Sequence, residues 1–152
     1  KVPEFIVWAQ KDKYSASLQR VQIIKGSITS GGARPSEKVF DVVCSDGLEV
    51  DPTTHRCPDN GARVNIEDCS ITDNVGATEL KATWRDPEFK PEDKAFYYVR
   101  VLENPTCRWS TWDALKAGVK PRSDMHKTIQ ERAWSSPIWY IPVPEDIDIF
   151  AL

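Results

Sequence analysis

Apolar residues recur along this chain in short runs, and where they alternate with polar ones the period is two rather than 3.6. Residues 5–9 (FIVWA) form a short apolar run after Pro3 and predict a strand. In residues 19–28 (QRVQIIKGSI), Val21 and Ile23 alternate with Arg20 and Gln22, the signature of a strand with one wet face. Residues 38–44 (KVFDVVC) predict a third strand, turned at Ser45-Asp46-Gly47. Residues 77–85 (ATELKATWR) predict another, with Leu80, Ala82 and Trp84 on one face. Residues 95–103 (AFYYVRVLE) have the highest β propensity of the chain and predict a central strand that breaks at Asn104-Pro105. Residues 113–117 predict a short helix ended by Gly118, and residues 128–133 either one helical turn or an extended run. Residues 137–143 (PIWYIPV) predict a last strand that Pro137 and Pro142 push to a sheet edge.

Between these runs lie turn signals. Residues 12–17 are polar, 29–36 (TSGGARPS) are rich in Gly, Pro and Ser, and 86–93 (DPEFKPED) hold two prolines at a corner. Residues 47–76 are the least regular stretch, punctuated by Asp51-Pro52, Pro58-Asp59-Asn60-Gly61 and Asp73-Asn74. Six or seven short strands with almost no amphipathic helix predict an all-β fold, an immunoglobulin-like β-sandwich with one long disulfide-stapled loop. Residues 93–97 (DKAFY) match the corner before the sixth strand of such domains, where a Tyr hydroxyl bonds back to the upstream backbone. The expected division is a β-sandwich over 1–144 and a tail over 145–152 (EDIDIFAL), whose acidic-apolar alternation asks for a partner surface.

Composition narrows the function classes. The 152 residues suit one domain, 40% hydrophobic and 28% charged, which is ordinary for a soluble protein. A net charge of −3 with no basic run speaks against nucleic acid as a partner. No apolar run approaches the roughly 18 residues of a membrane span. Lys1 and Leu152 read as the ends of a piece of a longer protein, with oligomeric state left open. Cys44, Cys57, Cys69 and Cys107 suit two disulfides in any of three connectivities, and thus an oxidising compartment. Free buried thiols and a metal site remain alternatives, although CxxC spacing is absent and His55 and His126 lack a partner at ligand spacing. A bridge between Cys57 and Cys69 would close a loop of about 13 residues and stabilise by roughly 3 kcal/mol. The acidic residues of 46–73 do not follow the spacing of a calcium loop.

Two polar-aromatic clusters are the candidate chemistry. The first is Arg108, Trp109, Ser110, Thr111, Trp112 and Asp113; the second runs from Glu131 and Arg132 through Trp134 to Ser136. Trp supplies a large rigid face, and Arg a bidentate fork for carboxylate, phosphate or sulfate. Arg108, Trp109, Thr111, Trp112, Arg132 and Trp134 are therefore the candidate binding or domain-interface residues, against the plainer reading that the tryptophans serve as core or interface. Ser110, His126 and Asp113 lack the setting of a nucleophile elbow, and Glu103 with Glu131 is a pairing that arises by chance among so many carboxylates. Gly31-Gly32 lacks the spacing of a phosphate loop. No catalytic or metal-ligating residue is assigned.

Residues 20–26 (RVQIIKG), 38–47 (KVFDVVCSDG), 95–114 (AFYYVRVLENPTCRWSTWDA) and 129–140 (IQERAWSSPIWY) together resemble the C-terminal part of the bacterial family catalogued as domain of unknown function 3604. The resemblance runs over nearly all of residues 5–142. It implies a secreted or periplasmic protein several times longer, whose N-terminal part carries an HxH motif like that of the polymerase-and-histidinol-phosphatase hydrolases. It further implies a divalent-metal-dependent hydrolase acting on phosphate or sulfate esters. The HxH segment is absent from this sequence, so no metal ligand carries over, no cofactor is expected in this chain, and the expected partner is the protein's own N-terminal catalytic domain. Arg108, Trp109, Arg132 and Trp134 would meet that domain; an independent carbohydrate- or anion-binding module and a purely structural domain are the rival readings. The secreted character of the family supports disulfides, with Cys57–Cys69 preferred on loop length and Cys44–Cys107 left as the second pair.

Overall fold

The computed structural model describes residues 1–29 and 34–142. Part of the predicted loop at 29–36 and the whole of the 145–152 tail lie outside them. Two antiparallel sheets of unequal size face each other. The smaller pairs β1 (Glu4–Gln10) with β4 (Glu79–Arg85). The larger contains β2 (Leu18–Ile28), β3 (Ser36–Cys44) and β5 (Lys94–Glu103) in the order β3-β2-β5. Its far edge is shared by β8 (Arg132–Trp134) and β9 (Ile138–Tyr140), each paired with a different half of β5. A third, minimal pairing joins β6 (Thr106–Cys107) to β7 (Thr128–Ile129). The all-β, sandwich-like architecture expected from the period-two pattern is the one observed, with α1 (Trp109–Lys116) as the single helix among the described residues.

Alternation decides what each strand buries. Phe5, Val7 and Ala9 of β1 and Leu80, Ala82 and Trp84 of β4 point inward, while Glu4, Ile6, Trp8, Lys81 and Arg85 point out. They meet Val21 and Ile23 of β2 and Ala95, Tyr97, Val99 and Val101 of β5. Trp84 lies against Phe40, with ring centroids 5.2 Å apart, and Phe5 against Tyr97 at 4.8 Å, so aromatic pairs bridge the layers. On the opposite face of the large sheet the Phe96 ring lies across Gly26, where a Cβ would stand only 2.2 Å from the ring tip. A side chain at position 26 would evict that ring.

One polar cluster interrupts the core. Lys25 Nζ stands 2.6 Å from Asp86 Oδ2 and donates to the Glu88 carbonyl, and the Tyr97 hydroxyl donates to the same carboxylate at 2.7 Å. The expected tyrosine corner is thus present in direction but altered in chemistry: the hydroxyl reaches upstream to an aspartate side chain instead of the backbone. Burial, and then the bond to Asp86, hold the Tyr97 phenol well above the usual tyrosine range.

The disulfide pairing differs from the expected one. The bridges are Cys44–Cys57 and Cys69–Cys107, not Cys57–Cys69 and Cys44–Cys107. Loop length could not discriminate, because Cys44 and Cys57 are 13 residues apart, nearly the same separation as the rejected pair. What decides is the return of the chain along β3. Asp41 donates its backbone N–H to the His55 carbonyl, and the Cys57 N–H donates to the Asp41 carboxylate, which sets Cys57 beside Cys44. Cys69 is then left to Cys107, and the long loop is stapled at one point to β3 and at another to β6.

The helix also starts earlier than predicted. Arg108 is extended and serves as its N-cap, and Thr111, almost fully buried, donates its hydroxyl to the Lys127 carbonyl. That tertiary anchor draws the first turn back to Trp109. The C-terminal end is as expected: Gly118 adopts a φ of 66°, and its N–H bonds the Leu115 carbonyl. Residues 128–133 take the extended alternative, as β7 and the start of β8.

Candidate functional site, an arginine-lined cleft

At the end of the large sheet where β2, β5 and β8 meet the stapled loop, a cleft of about 600 Å³ opens. Arg20, Arg63, Arg108 and Arg132 all line it, together with His126. Gln19, Gln130, Thr128 and one carboxylate, Asp59, complete its polar wall. In a chain whose net charge is −3, four guanidiniums against one carboxylate make a local reversal of sign.

Each arginine arrives by a different route. A register shift in β2 leaves Gln19 unpaired between Leu18, opposite Glu103, and Arg20, opposite Leu102. A regular strand would send neighbours to opposite faces; the irregularity lets both Gln19 and Arg20 reach the cleft. Arg108 follows the bridged Cys107 and is held by its own N–H, which donates to the Lys127 carbonyl. Arg132 comes from β8 opposite Leu102. Arg63 comes from the stapled loop, where the Val64–Ile71 bridge and the Thr72 N–H bonded to the Arg63 carbonyl stiffen the backbone.

That loop is tied down by side-chain amides, Asn104 buried and Asn60 half-buried. Asn60 Nδ2 donates to Ser45 Oγ and Asn104 Oδ1, and Asn104 Nδ2 donates to the Val75 carbonyl. Gly76, at φ 91°, packs so closely that a Cβ there would stand 2.6 Å from Asn104 Nδ2. Gln130 Nε2 donates to Gln19 Oε1 and to the Glu103 carbonyl, which locks the two glutamines side by side.

The arginines are not equally committed. Arg63 forks onto Asp59, with Nη2 to Oδ2 at 2.6 Å and Nη1 to Oδ1 at 3.2 Å. Arg20 Nε lies 3.8 Å from Asp41 Oδ2, beyond hydrogen-bond reach. That carboxylate is already used by Gln22 and the Cys57 N–H. Arg108 and Arg132 have no carboxylate within ion-pair distance among the described residues. Arg20 Nε and Arg108 Nε are two of the three buried side-chain polar atoms that lack a hydrogen-bond partner among the described residues. Such donors each cost about 1–3 kcal/mol when left unmade, and the two guanidiniums are held beside the cleft without being neutralised by the chain's own acceptors.

The Arg63 hydrogen bonds, with the Gly61 N–H, hold the Asp59 carboxyl down to about 2. With a folded-state value below the ordinary 3.8, the ion pair is present above about pH 4 and is lost as pH falls towards 2. The Asp59 side-chain carbonyl carbon, followed by NMR, is expected to titrate with a midpoint near 2; a midpoint near 4 would mean that the fork to Arg63 does not form in solution.

Of the six residues singled out by sequence, Arg108 and Arg132 meet in the cleft. Thr111 is buried outside the cleft lining, as an anchor of α1. Trp109 and Trp112 are exposed on α1, outside the cleft lining. Trp134 is exposed on β8, one alternation beyond Arg132 on the same side of the strand. Sequence reasoning missed Arg20, Arg63, Gln19 and Gln130, and gave His126 no role, since it lacks a partner at ligand spacing. Only the pairing of an arginine with a glutamine at the start of β2 was visible, and it read as a wet strand face. Among the described residues no three His, Cys, Asp or Glu side chains converge as a metal-binding group.

The two bridges are of the kind that persists in oxidising, extracytoplasmic surroundings, and no described helix is long and apolar enough to cross a membrane. No curated protein and no solved structure matches the chain. The family model described as "Protein of unknown function (DUF3604)" matches residues 1–142, from β1 through β9 and across every residue of the cleft, and the chain therefore belongs to the DUF3604 family.

Proposed function

We propose that this β domain, over residues 1–144, is the non-catalytic accessory part of a larger secreted or periplasmic protein, and that it grips the anionic group of a ligand in the arginine cleft. The observation that carries the reading is the gathering of Arg20, Arg63, Arg108 and Arg132 around one cleft, with Arg20, Arg108 and Arg132 hydrogen-bonded to no carboxylate among the described residues. Guanidinium forks bind tetrahedral oxyanions by two parallel charge-assisted bonds, and the surrounding low dielectric strengthens them. The sequence resemblance to metal-dependent ester hydrolases supports a reading in which the chemistry belongs to a separate N-terminal domain with its divalent metal. On this reading the cleft presents a phosphate or sulfate ester to that domain.

Calorimetric titration of the 152-residue chain with inorganic sulfate and with phosphate at low ionic strength tests the first half. Saturable binding is expected, weakening with salt, and Arg108→Ala and Arg132→Ala are each expected to lower affinity about tenfold, the value of one lost charge-assisted hydrogen bond. Absence of saturable binding of either anion, or unchanged affinity in both variants, would sink it. In the longer protein, metal-dependent hydrolysis of p-nitrophenyl phosphate or sulfate with a raised KM and an unchanged kcat in Arg108→Ala supports the accessory role. Metal-dependent turnover by the 152-residue chain alone would overturn it.

A further inference from the structure

The cleft is much larger than a single oxyanion needs. At about 600 Å³ it falls in the range of sites that enclose a whole small organic ligand, whereas a tetrahedral anion needs only the arginine end. The rest of the wall is not cationic. Gln130 spends both donor bonds on Gln19 Oε1 and the Glu103 carbonyl, which fixes its amide plane. Its own Oε1 takes no hydrogen bond among the described residues and is not among the buried unpartnered atoms, so it is an oriented acceptor open to the cleft. Thr128 adds a hydroxyl.

Beyond Arg132, Trp134 stands on the same side of β8, about 7 Å along the strand, and is 58% exposed. It pairs in register with Arg100 of β5, whose Nε donates to Gln22 Oε1 at 2.7 Å. The indole thus sits on an anchored strand, not on a loop, and offers an exposed flat face outside the cleft lining, two residues along β8 from Arg132.

Resting on the reading above, we infer that the ligand is a saccharide bearing a sulfate or phosphate ester, with the ester in the arginine cleft and the sugar ring on Trp134. The three parts have separate jobs. The guanidiniums take the ester oxygens. The fixed Gln130 carbonyl oxygen accepts from a ring hydroxyl, for which an anion has no use. The indole face, negative at its centre, meets the weakly positive C–H bonds on one side of a pyranose. A nucleic acid would meet the negative charge of the rest of the chain, and an aliphatic phosphate has no flat face to lay on Trp134.

The test titrates the 152-residue chain with glucose 6-sulfate, glucose 6-phosphate, inorganic sulfate, inorganic phosphate, glucose and p-nitrophenyl sulfate, following heat and tryptophan fluorescence. The expected result is that at least one sugar ester binds about tenfold or more tighter than its inorganic ion. Trp134→Ala should abolish that gain and the fluorescence change while leaving the affinity for the inorganic ion as it was. The sulfate and phosphate arms tell which ester is preferred. If inorganic ions bind but the sugar esters bind no tighter, or if Trp134→Ala leaves the gain intact, this inference falls and the anion cleft stands. If p-nitrophenyl sulfate outcompetes the sugar esters, the ligand is an aromatic ester and the saccharide is wrong. If no anion binds at all, both readings fall. Trp134 is exposed, so an unchanged melting temperature should accompany its substitution.

Discussion

Asp86→Ala is expected to lower the unfolding free energy by about 3–5 kcal/mol, the usual cost of breaking a buried ion pair from one side. The side chains of Lys25 and Asp86 are only 7% and 0% exposed, so the lysine left behind would hold an uncompensated charge between the two sheets. The damage would not stop there. Asp86 Oδ2 also accepts from the Tyr97 hydroxyl, and Oδ1 accepts from the Glu88 N–H that shapes the corner after β4. Alanine would strand the Tyr97 hydroxyl and the Glu88 N–H and leave Lys25 with only the Glu88 carbonyl. The double variant Lys25→Met with Asp86→Leu is expected to be far less harmful, because it removes both charges and restores apolar volume. Urea unfolding of the single and double variants checks this. A change of less than about 1 kcal/mol for Asp86→Ala would show that water reaches the pair and relieves it.

The second large effect belongs to the disulfides, and it links stability to the cleft. Removing the bridge across 38 residues, as in C69A/C107A, is expected to cost about 4 kcal/mol on chain-entropy grounds. Removing the bridge across 13 residues, as in C44A/C57A, is expected to cost about 3 kcal/mol. The two should differ more in function than in stability. Cys107 immediately precedes Arg108, and Cys69 lies on the loop that presents Arg63, so the longer bridge spans two walls of the cleft. Loss of sulfate affinity is therefore expected in C69A/C107A, with the affinity of C44A/C57A close to that of the parent. Denaturant unfolding and calorimetry, both under oxidising conditions, provide the measurements. Equal affinity in the two variants would show that the loop is positioned by its Asn60 and Asn104 hydrogen bonds alone.

The strands were legible because each carries its own evidence. In β1, β4 and β5 the side chains that point inward are apolar at every second position, and that spacing survives whatever the rest of the chain does. The turn chemistry between them was equally local, from Ser45-Asp46-Gly47 to Gly118. The start of α1 was misjudged because its first turn is held by Thr111 bonding Lys127, a contact with no trace in the helix's own residues.

The candidate site was legible only in part. Arg108 and Arg132 stood out because each adjoins tryptophan-rich sequence. Arg20 did not, because its place in the cleft depends on a register shift that no residue type announces. Arg63 did not, because it sits in an irregular loop whose course is set by two bridges and the Asn60 and Asn104 amides. The bridges themselves were visible as four cysteines, yet their pairing turned on Asp41 catching the His55–Cys57 segment beside β3.

What could be known from the order of residues was therefore everything carried by short-range periodicity and composition. That includes an all-β chain, a central strand at 95–103, an unusual loop at 47–76, cysteines suited to cross-linking and a kinship spanning most of the chain. What waited for the tertiary structure was everything that depends on residues distant in sequence becoming neighbours. The connectivity of the bridges, the Lys25–Asp86–Tyr97 cluster and the gathering of Arg20, Arg63, Arg108 and Arg132 into one cleft are all of this kind. The physical reason is the same in each case. A strand's facing follows from backbone geometry that repeats every two residues, whereas a charge cluster is a sum over segments whose relative positions are set by the packing of the whole.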